Sequence, residues 1–362
     1  MKKILLVTKT GKNYGALLQA YALKTVLEQL EYDVNILNLN LERNRKSFSV
    51  LVRPSGLRSI PGFIRSLIRA AKTKESVRKC LDFREKYYAF TKPYRNIGEL
   101  QADPPEADIY LVGSDQVWNP ILDFSPAYFL MFGDKNTMRA SYAASIGFNQ
   151  YPKEYEAEFC ERLKNIPYKS VREPEAQEIL DSYGFPSEVH ADPTLLLSSA
   201  DYDQIAITPK ITRPYILLYL VGPVKKYNNI QKALKALYPD KLILNIPDRA
   251  SRVKYADREA ADIGPEEFIG LIKHADAVVT ASFHGTVFSL LYHKNFISLA
   301  PNKTASRISN LLEMTGLSDR LSDDFSKLDK LFELPDFSRA DKVLAVKREE
   351  GIQYLQSLGS KE

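Results

Sequence analysis

The sequence predicts an α/β chain of two Rossmann-like halves facing a cleft, with a basic helical insertion in the first, and three observations carry that expectation. Short apolar runs at residues 3–8, 108–112 and 277–281 read as buried strands of parallel sheets. Longer segments with apolar residues at helical spacing separate such runs. The alternation begins at residue 3 and starts afresh at residue 215, just after Pro214, so the pattern is written twice.

The elements follow in order. Residues 3–8 are the first strand, and a loop with Gly11, Asn13 and Gly15 leads into a helix over about 16–30. Leu17, Leu18, Tyr21, Leu23, Leu27 and Leu30 give that helix a broad apolar face, and residues 34–39 form the second strand. The loop is not G-x-G-x-x-G, so it marks no dinucleotide site. Residues 42–106 interrupt the alternation with five prolines and a helical stretch over 75–90. Order returns with the strand at 108–112, which runs into Gly113-Ser114-Asp115. Strands over 139–145 and 169–172 flank a helix over 153–163. Glu173-Pro174 opens a helix closed by Gly184, proline inside the start and glycine past the end. A segment over 189–197 completes the first half.

The second half repeats the grammar. Strands are expected over 215–221, 241–246, 277–281 and 295–299. Helices are expected over 227–237, from Gly264-Pro265 to His274, after His284, around Arg307 and over 339–358. Acidic Glu266 and Glu267 suit the positive end of their helix. The implied domains are 1–198, with an insertion at about 42–106 and expected to be the acceptor side, then 199–335, expected to be the donor side, then a terminal helix at 336–362.

Composition narrows the class. The chain has 362 residues, 44% apolar and 26% charged, values of a soluble globular protein. No apolar run approaches the roughly 20 residues that span a bilayer, and the N-terminus has no signal-peptide pattern. Cys80 and Cys160 are isolated. A cytoplasmic protein without disulfides is the expectation, and nucleic acid is not an expected partner. The net charge of +5 is uneven. Residues 42–79 hold eleven Lys/Arg and two Asp/Glu, a local +9 that leaves −4 elsewhere.

The turn Ser282-Phe-His284-Gly285-Thr286 concentrates the chemistry. It lies where a strand becomes a helix, and helix N-termini at such places offer N–H groups to anions. Of four histidines, His284 alone sits in such a turn. A plain Ser/Thr cap with a packed histidine is the bland alternative. Asp115 lies just past a strand end, where its carboxylate can face ligand or can close an Asx turn. Trp118 can stack on a sugar face or fill a core.

Taken together, Asn13-Tyr-Gly15-Ala-Leu-Leu-Gln-Ala-Tyr-Ala22, Gly113-Ser114-Asp115-Gln-Val-Trp118-Asn119, Ser141-Tyr-Ala-Ala-Ser-Ile-Gly147, Ser170-Val-Arg172-Glu173, Asp192-Pro-Thr194, Ser282-Phe-His284-Gly285-Thr286 and Arg307 resemble the polysaccharide pyruvyl transferase family. The resemblance runs nearly end to end. It implies a fold like that of the two-domain GT-B glycosyltransferases. It also implies transfer of the enolpyruvyl group of phosphoenolpyruvate to two sugar hydroxyls as a cyclic ketal. In that family the arginine and histidine corresponding to Arg172 and His284 are tied to the donor.

The residue types suit that chemistry. Arg172 offers a planar fork for a carboxylate or phosphate and keeps its proton. His284 can act as general acid at the vinyl carbon or the leaving phosphate. The Gly285 and Thr286 amides, with the Ser282 and Thr286 hydroxyls, can hold phosphate. Asp115 can take a proton from an acceptor hydroxyl. Asn13, Gly15, Gly113, Ser114 and Arg307 complete the expected substrate-binding set. No metal or cofactor is called for beyond phosphoenolpyruvate as donor substrate. His284 and Arg172 are both expected to contact the donor and neither to fill a core, so alanine at either is expected to leave the fold intact. A sugar-nucleotide glycosyltransferase of the same architecture, or a binding protein that keeps the cleft, are the alternatives. In the insertion, Phe63, Ile64, Leu67, Ile68 and Ala71 share one helical face bordered by basic residues. Residues 61–79 either pack on the protein or lie on an anionic membrane, where a polyprenyl-phosphate-linked acceptor would be found.

Overall fold

The computed structural model describes residues 1–39, 60–222, 227, 229–247, 256–300 and 306–361, with the side chains of residues 60–72 and of Ser306 outside that description. Contacts divide the chain into two units. The first gathers Met1–Phe48, Arg84–Leu197 and Val346–Glu362, and the second Ser49–Phe83 and Ser198–Ala345, each in its described part.

The first unit is built on β1 (Lys3–Val7), β2 (Asp33–Ile36), β3 (Ile109–Val112) and β4 (Met138–Ser141), in the spatial order β2-β1-β3-β4 with every pairing parallel. Isolated bridges from Ala140 to Tyr168 and from Ala144 to Val171 extend it toward the short pair β5 (Ser170–Val171) and β6 (Glu188–Val189). β3 is buried at every residue, as expected for a strand covered on both faces. The first crossover is the helix Tyr14–Gln29, capped by Asn13, whose side chain accepts from the Ala16 amide at 3.1 Å. Trp118 lies wholly inside this unit's core against Phe129 and Phe159, its indole N–H donated to the Tyr128 carbonyl at 3.0 Å. The sugar-stacking alternative for Trp118 therefore falls.

Among its described residues the second unit has six parallel strands: β7 (Tyr215–Tyr219), β8 (Leu242–Asn245), β9 (Arg258–Glu259), β10 (Ala277–Thr280), β11 (Asn295–Leu299) and β12 (Leu321–Ser322). Their order is β9-β8-β7-β10-β11-β12. Counted from its own first strand, this is the 3-2-1-4-5-6 order of a dinucleotide-binding sheet. The helix Pro265–Lys273 carries proline at its start and a Glu267 carboxylate accepting from the Gly264 amide at 2.8 Å.

Several boundaries differ from the sequence reading. β9 and β12 are two residues each and carry no periodic signal. The expected strand over 139–145 stops at Ser141, because Ala143 takes a left-handed φ of 48°. The segment over 189–197 starts at the end of β6 and continues into a short 3-10 turn, Pro193–Leu195. One helix, Ile60–Tyr87, replaces the expected stretch over 75–90. The contact division also redraws the insertion. It passes from the second unit to the first within that helix, between Phe83 and Arg84. Thr73, Ser76, Cys80 and Phe83 are buried along one side, and Lys79 pairs with Glu267. The last helix, Ser338–Leu358, is shared likewise, leaving Val346 onward with the first unit. The apolar stripe proposed for residues 61–71 and the basic residues 42–59 lie outside the described side chains.

Candidate functional site

In an open parallel sheet, ligands bind beyond the carboxyl ends of the strands, at the point where strand order reverses. Each unit has one such point. In the first it lies between β1 and β3, whose following loops carry Asn13 and Gly113-Ser114-Asp115. In the second it lies between β7 and β10, and β10 runs directly into Ser282-Phe-His284.

The first unit's group is a buried, charged network. Gly113 stands so close to β1 that an added Cβ would meet Thr8 Cβ at 3.0 Å and Leu6 Cδ1 at 3.1 Å. The Ser114 hydroxyl donates to Asp192 Oδ2 at 3.3 Å, and its carbonyl accepts from the Thr8 hydroxyl at 3.1 Å. Gln19 donates to that same Thr8 oxygen at 2.9 Å and to the Lys9 and Ala16 carbonyls. Those two carbonyls fix which end of the Gln19 amide is nitrogen.

Arg172 is the centre of the network. It follows β5 and is buried, with 7% of its surface exposed. Its Nε donates to Glu173 Oε1 at 2.8 Å and its Nη1 to Asp192 Oδ2 at 2.7 Å. Burial pulls its pKa down, but the Glu173, Asp192 and Asp115 carboxylates outweigh this and leave it above the ordinary arginine value. Asp192 also accepts from the Thr194 amide at 3.0 Å and the Thr194 hydroxyl at 2.6 Å. Glu173 Oε1 also accepts from the Ser145 hydroxyl at 2.8 Å. Asp115, half-buried at the rim, has a left-handed φ of 68°, held by the Val117 and Ser145 amides donating to its carbonyl. Outlying backbone of this kind is sustained only where its surroundings over-determine it.

The second unit's group is tighter than expected. Ser282 caps the helix Phe283–Leu291, its hydroxyl accepting from the Gly285 amide at 3.4 Å. The Thr286 amide donates to the Ser282 carbonyl. The Thr286 hydroxyl also reaches that carbonyl, at 3.1 Å, and meets the Ser298 hydroxyl at 2.8 Å. A Cβ on Gly285 would overlap the Thr280 hydroxyl. The Gly285 and Thr286 amides and the Thr286 hydroxyl thus have partners within the turn and its neighbour Ser298. His284, in the first turn, is buried at 8% exposure. Arg307 is half-buried near the start of the helix Ser306–Thr315.

The structure brings Gly113, Ser114, Asp115 and Arg172 into one network, and His284 with Ser282, Gly285 and Thr286 into another. Asn13 is exposed and serves as a helix cap, with Gly15 buried in the turn it closes. Residue-by-residue reading passed over Glu173, Asp192, Ser145, Thr194 and Gln19. All five lie inside the motifs quoted for the family, but their roles are visible only once partners are known. His190 is a further buried group. Its Nδ1 meets the Ser170 hydroxyl at 2.9 Å, and burial lowers its pKa. Among the described residues, no group of three or more His, Cys, Asp or Glu side chains could hold a metal ion, and no helix is long and apolar enough to cross a membrane.

Two parallel-sheet Rossmann-like units with a switch-point site in each define an α/β protein of the GT-B-like class. UDP-N-acetylglucosamine 2-epimerase from Rickettsia bellii superposes with a TM-score of 0.51 at 12% identity, over 99% of this chain and 94% of that one. The UDP-GlcNAc 2-epimerase of Methanocaldococcus jannaschii gives 0.49 at 16% identity, over 93% of each chain. The glycosyltransferase SsfS6 of Streptomyces sp. SF2575, complexed with thymidine diphosphate, gives 0.45 at 12% identity, over the whole of both chains. No curated protein matched. The profile of the polysaccharide pyruvyl transferase family matches residues 13–303, and the chain belongs to that family of transferases.

Proposed function

We propose that the protein transfers the enolpyruvyl group of phosphoenolpyruvate to two hydroxyls of one sugar in a cell-envelope or exopolysaccharide precursor, forming a cyclic pyruvate ketal and releasing phosphate. The observation that carries this reading is the family match over residues 13–303, which spans both switch-point sites and includes Asp115, Arg172 and His284. The chemistry asks for a proton on the vinyl carbon, two C–O bonds to the resulting cation, and departure of phosphate. The two hydroxyl protons end on that carbon and on phosphate, so the reaction balances without a redox partner. His284, held in a rigid first turn, is the acid, and Asp115 at the rim of the first unit takes the proton of an attacking hydroxyl. Phosphoenolpyruvate is the donor and no cofactor takes part. The acceptor is carried on polyprenyl phosphate at the inner face of the membrane.

The test is phosphate release from phosphoenolpyruvate in the presence of candidate acceptors, with product mass checked for the added pyruvate. His284→Ala is expected to cut the rate by about 10²–10⁴, the usual worth of a general acid. Turnover of a sugar nucleotide with release of a nucleoside diphosphate, and none with phosphoenolpyruvate, overturns the reading in favour of a glycosyltransferase.

A further inference from the structure

The turn that carries His284 is held from two sides by buried hydroxyls that the proposed chemistry does not use. Thr280 ends β10 and Ser298 lies next to the end of β11, and both are completely buried. Strand positions covered on both faces ordinarily take apolar side chains, and a buried hydroxyl is costly unless it is hydrogen-bonded. Both hydroxyls are bonded, and each bond leads to the His284 turn or to the strand beside it.

The ladder between β10 and β7 runs on to Ala281, whose amide donates to the Tyr219 carbonyl at 3.0 Å. At Ser282 the chain leaves the sheet, and its amide donates instead to the Thr280 hydroxyl oxygen at 3.1 Å. That hydroxyl donates in turn to the Tyr219 carbonyl at 2.8 Å, so one side chain ties the departing backbone to β7. Gly285, one residue past His284, stands so close to the same hydroxyl that a Cβ would overlap it. On the other side, the Thr286 hydroxyl bridges the Ser282 carbonyl at 3.1 Å and the Ser298 hydroxyl at 2.8 Å. His284 lies between these attachments, in the first turn of the helix Phe283–Leu291. The backbone before and after it is thereby tied to β7, β10 and β11.

We propose that Thr280 and Ser298 are positioning residues for His284, their hydroxyls fixing the first turn of its helix and with it the place of the imidazole. Both are fully buried, so they act through the turn and touch no substrate. A catalytic group displaced by about 1 Å can lose about 10² in rate, which is the leverage such an attachment has on turnover. The inference rests on the transferase reading, in which His284 is the acid.

Thr280→Val tests it, with Thr280→Ser as the conservative partner. Valine keeps the branched shape and removes only the hydroxyl. The Tyr219 carbonyl still has the Ala281 amide, and the amide that loses its acceptor belongs to the half-buried Ser282. Two readouts are taken: the kcat and KM of phosphate release from phosphoenolpyruvate, and the imidazole signals of protein labelled at its four histidines, with His284 assigned by its loss in His284→Gln. In Thr280→Val, kcat is expected to fall about tenfold or more with KM within about twofold, and the His284 signal to move while the other three stay. Thr280→Ser is expected to return kcat to within about threefold of wild type and the signal to its place. An unmoved His284 signal in Thr280→Val, a loss confined to KM, or a Thr280→Ser as impaired as Thr280→Val overturns the assignment. If Thr280→Val lacks the native circular dichroism, Ser298→Ala carries the same comparison, since Thr286 keeps the Ser282 carbonyl as its acceptor. A His284 signal that moves with valine and returns with serine, in a chain that releases no phosphate from phosphoenolpyruvate, supports the positioning and sinks the transferase reading, so the two fail separately.

Discussion

Replacing Arg172 should unfold the first unit more readily, contrary to the expectation that its removal leaves the fold intact. The side chain is buried between Glu173 at 2.8 Å and Asp192 at 2.7 Å. Alanine there leaves two carboxylates without their cation. Asp192 keeps Thr194 and Ser114 as donors, and Glu173 keeps Ser145, so neither is stranded completely. Breaking a buried ion cluster by deleting one partner costs about 3–5 kcal/mol, and these residual donors place the loss toward the lower end. Lysine retains charge but cannot span both carboxylates with a planar fork, and losing one charge-assisted hydrogen bond is worth about 1.5–3 kcal/mol. The assay is built into the chain. Trp118 is its only tryptophan and lies wholly inside the first unit's core, so urea titration followed by tryptophan emission reports that unit. The expected order of midpoints is wild type above Arg172→Lys above Arg172→Ala, with His284→Ala, in the other unit, indistinguishable from wild type. An Arg172→Ala midpoint within about 0.5 kcal/mol of wild type would refute the claim that the carboxylates depend on this guanidinium.

Two further outcomes follow from the geometry. Gly285→Ala forces a methyl group onto Thr280. Overpacking of about 1–3 kcal/mol should exceed the gain of about 0.5–1 kcal/mol from replacing glycine in a helix, lowering the second unit's transition seen by circular dichroism. Thr280→Ala in the same chain should recover part of the loss, and additive effects would argue against direct contact. His190 stacks between Tyr142 and Tyr354, faces Ser170, and has Glu188 at 3.9 Å, with Glu350 and Lys347 acting from the terminal helix. Burial holds its folded pKa below the unfolded value of about 6.5, so the folded state resists protonation and stability falls as pH drops below that value. The melting-temperature advantage of wild type over His190→Gln should shrink between pH 7.5 and 5, and a constant gap would show that His190 titrates normally.

The sequence by itself determined what is written locally. Helix starts and stops were legible because their signals are adjacent residues: Asn13 capping Ala16, Pro174 with Gly184, Gly264 with Glu267. The strand-to-helix turn at His284 was legible for the same reason, and the ordered motifs sufficed to recognise the family. Strand order was not, because β7 lies between β8 and β10 through contacts that no local pattern encodes. Only the tertiary structure showed that both proposed ligand turns fall at points where that order reverses. It also decided the character of individual residues. The sequence does not show that Arg172 is buried against a carboxylate, because that partner, Asp192, is twenty positions away. Gly285 and Thr286 are adjacent in sequence, but that Thr280 closes on the one and Ser298 meets the hydroxyl of the other is seen only in the fold. Periodicity reports which face of an element is buried, since burial is an average over many contacts. The partner of one buried charge is a single contact between distant parts of the chain, and that is set when the sheets close.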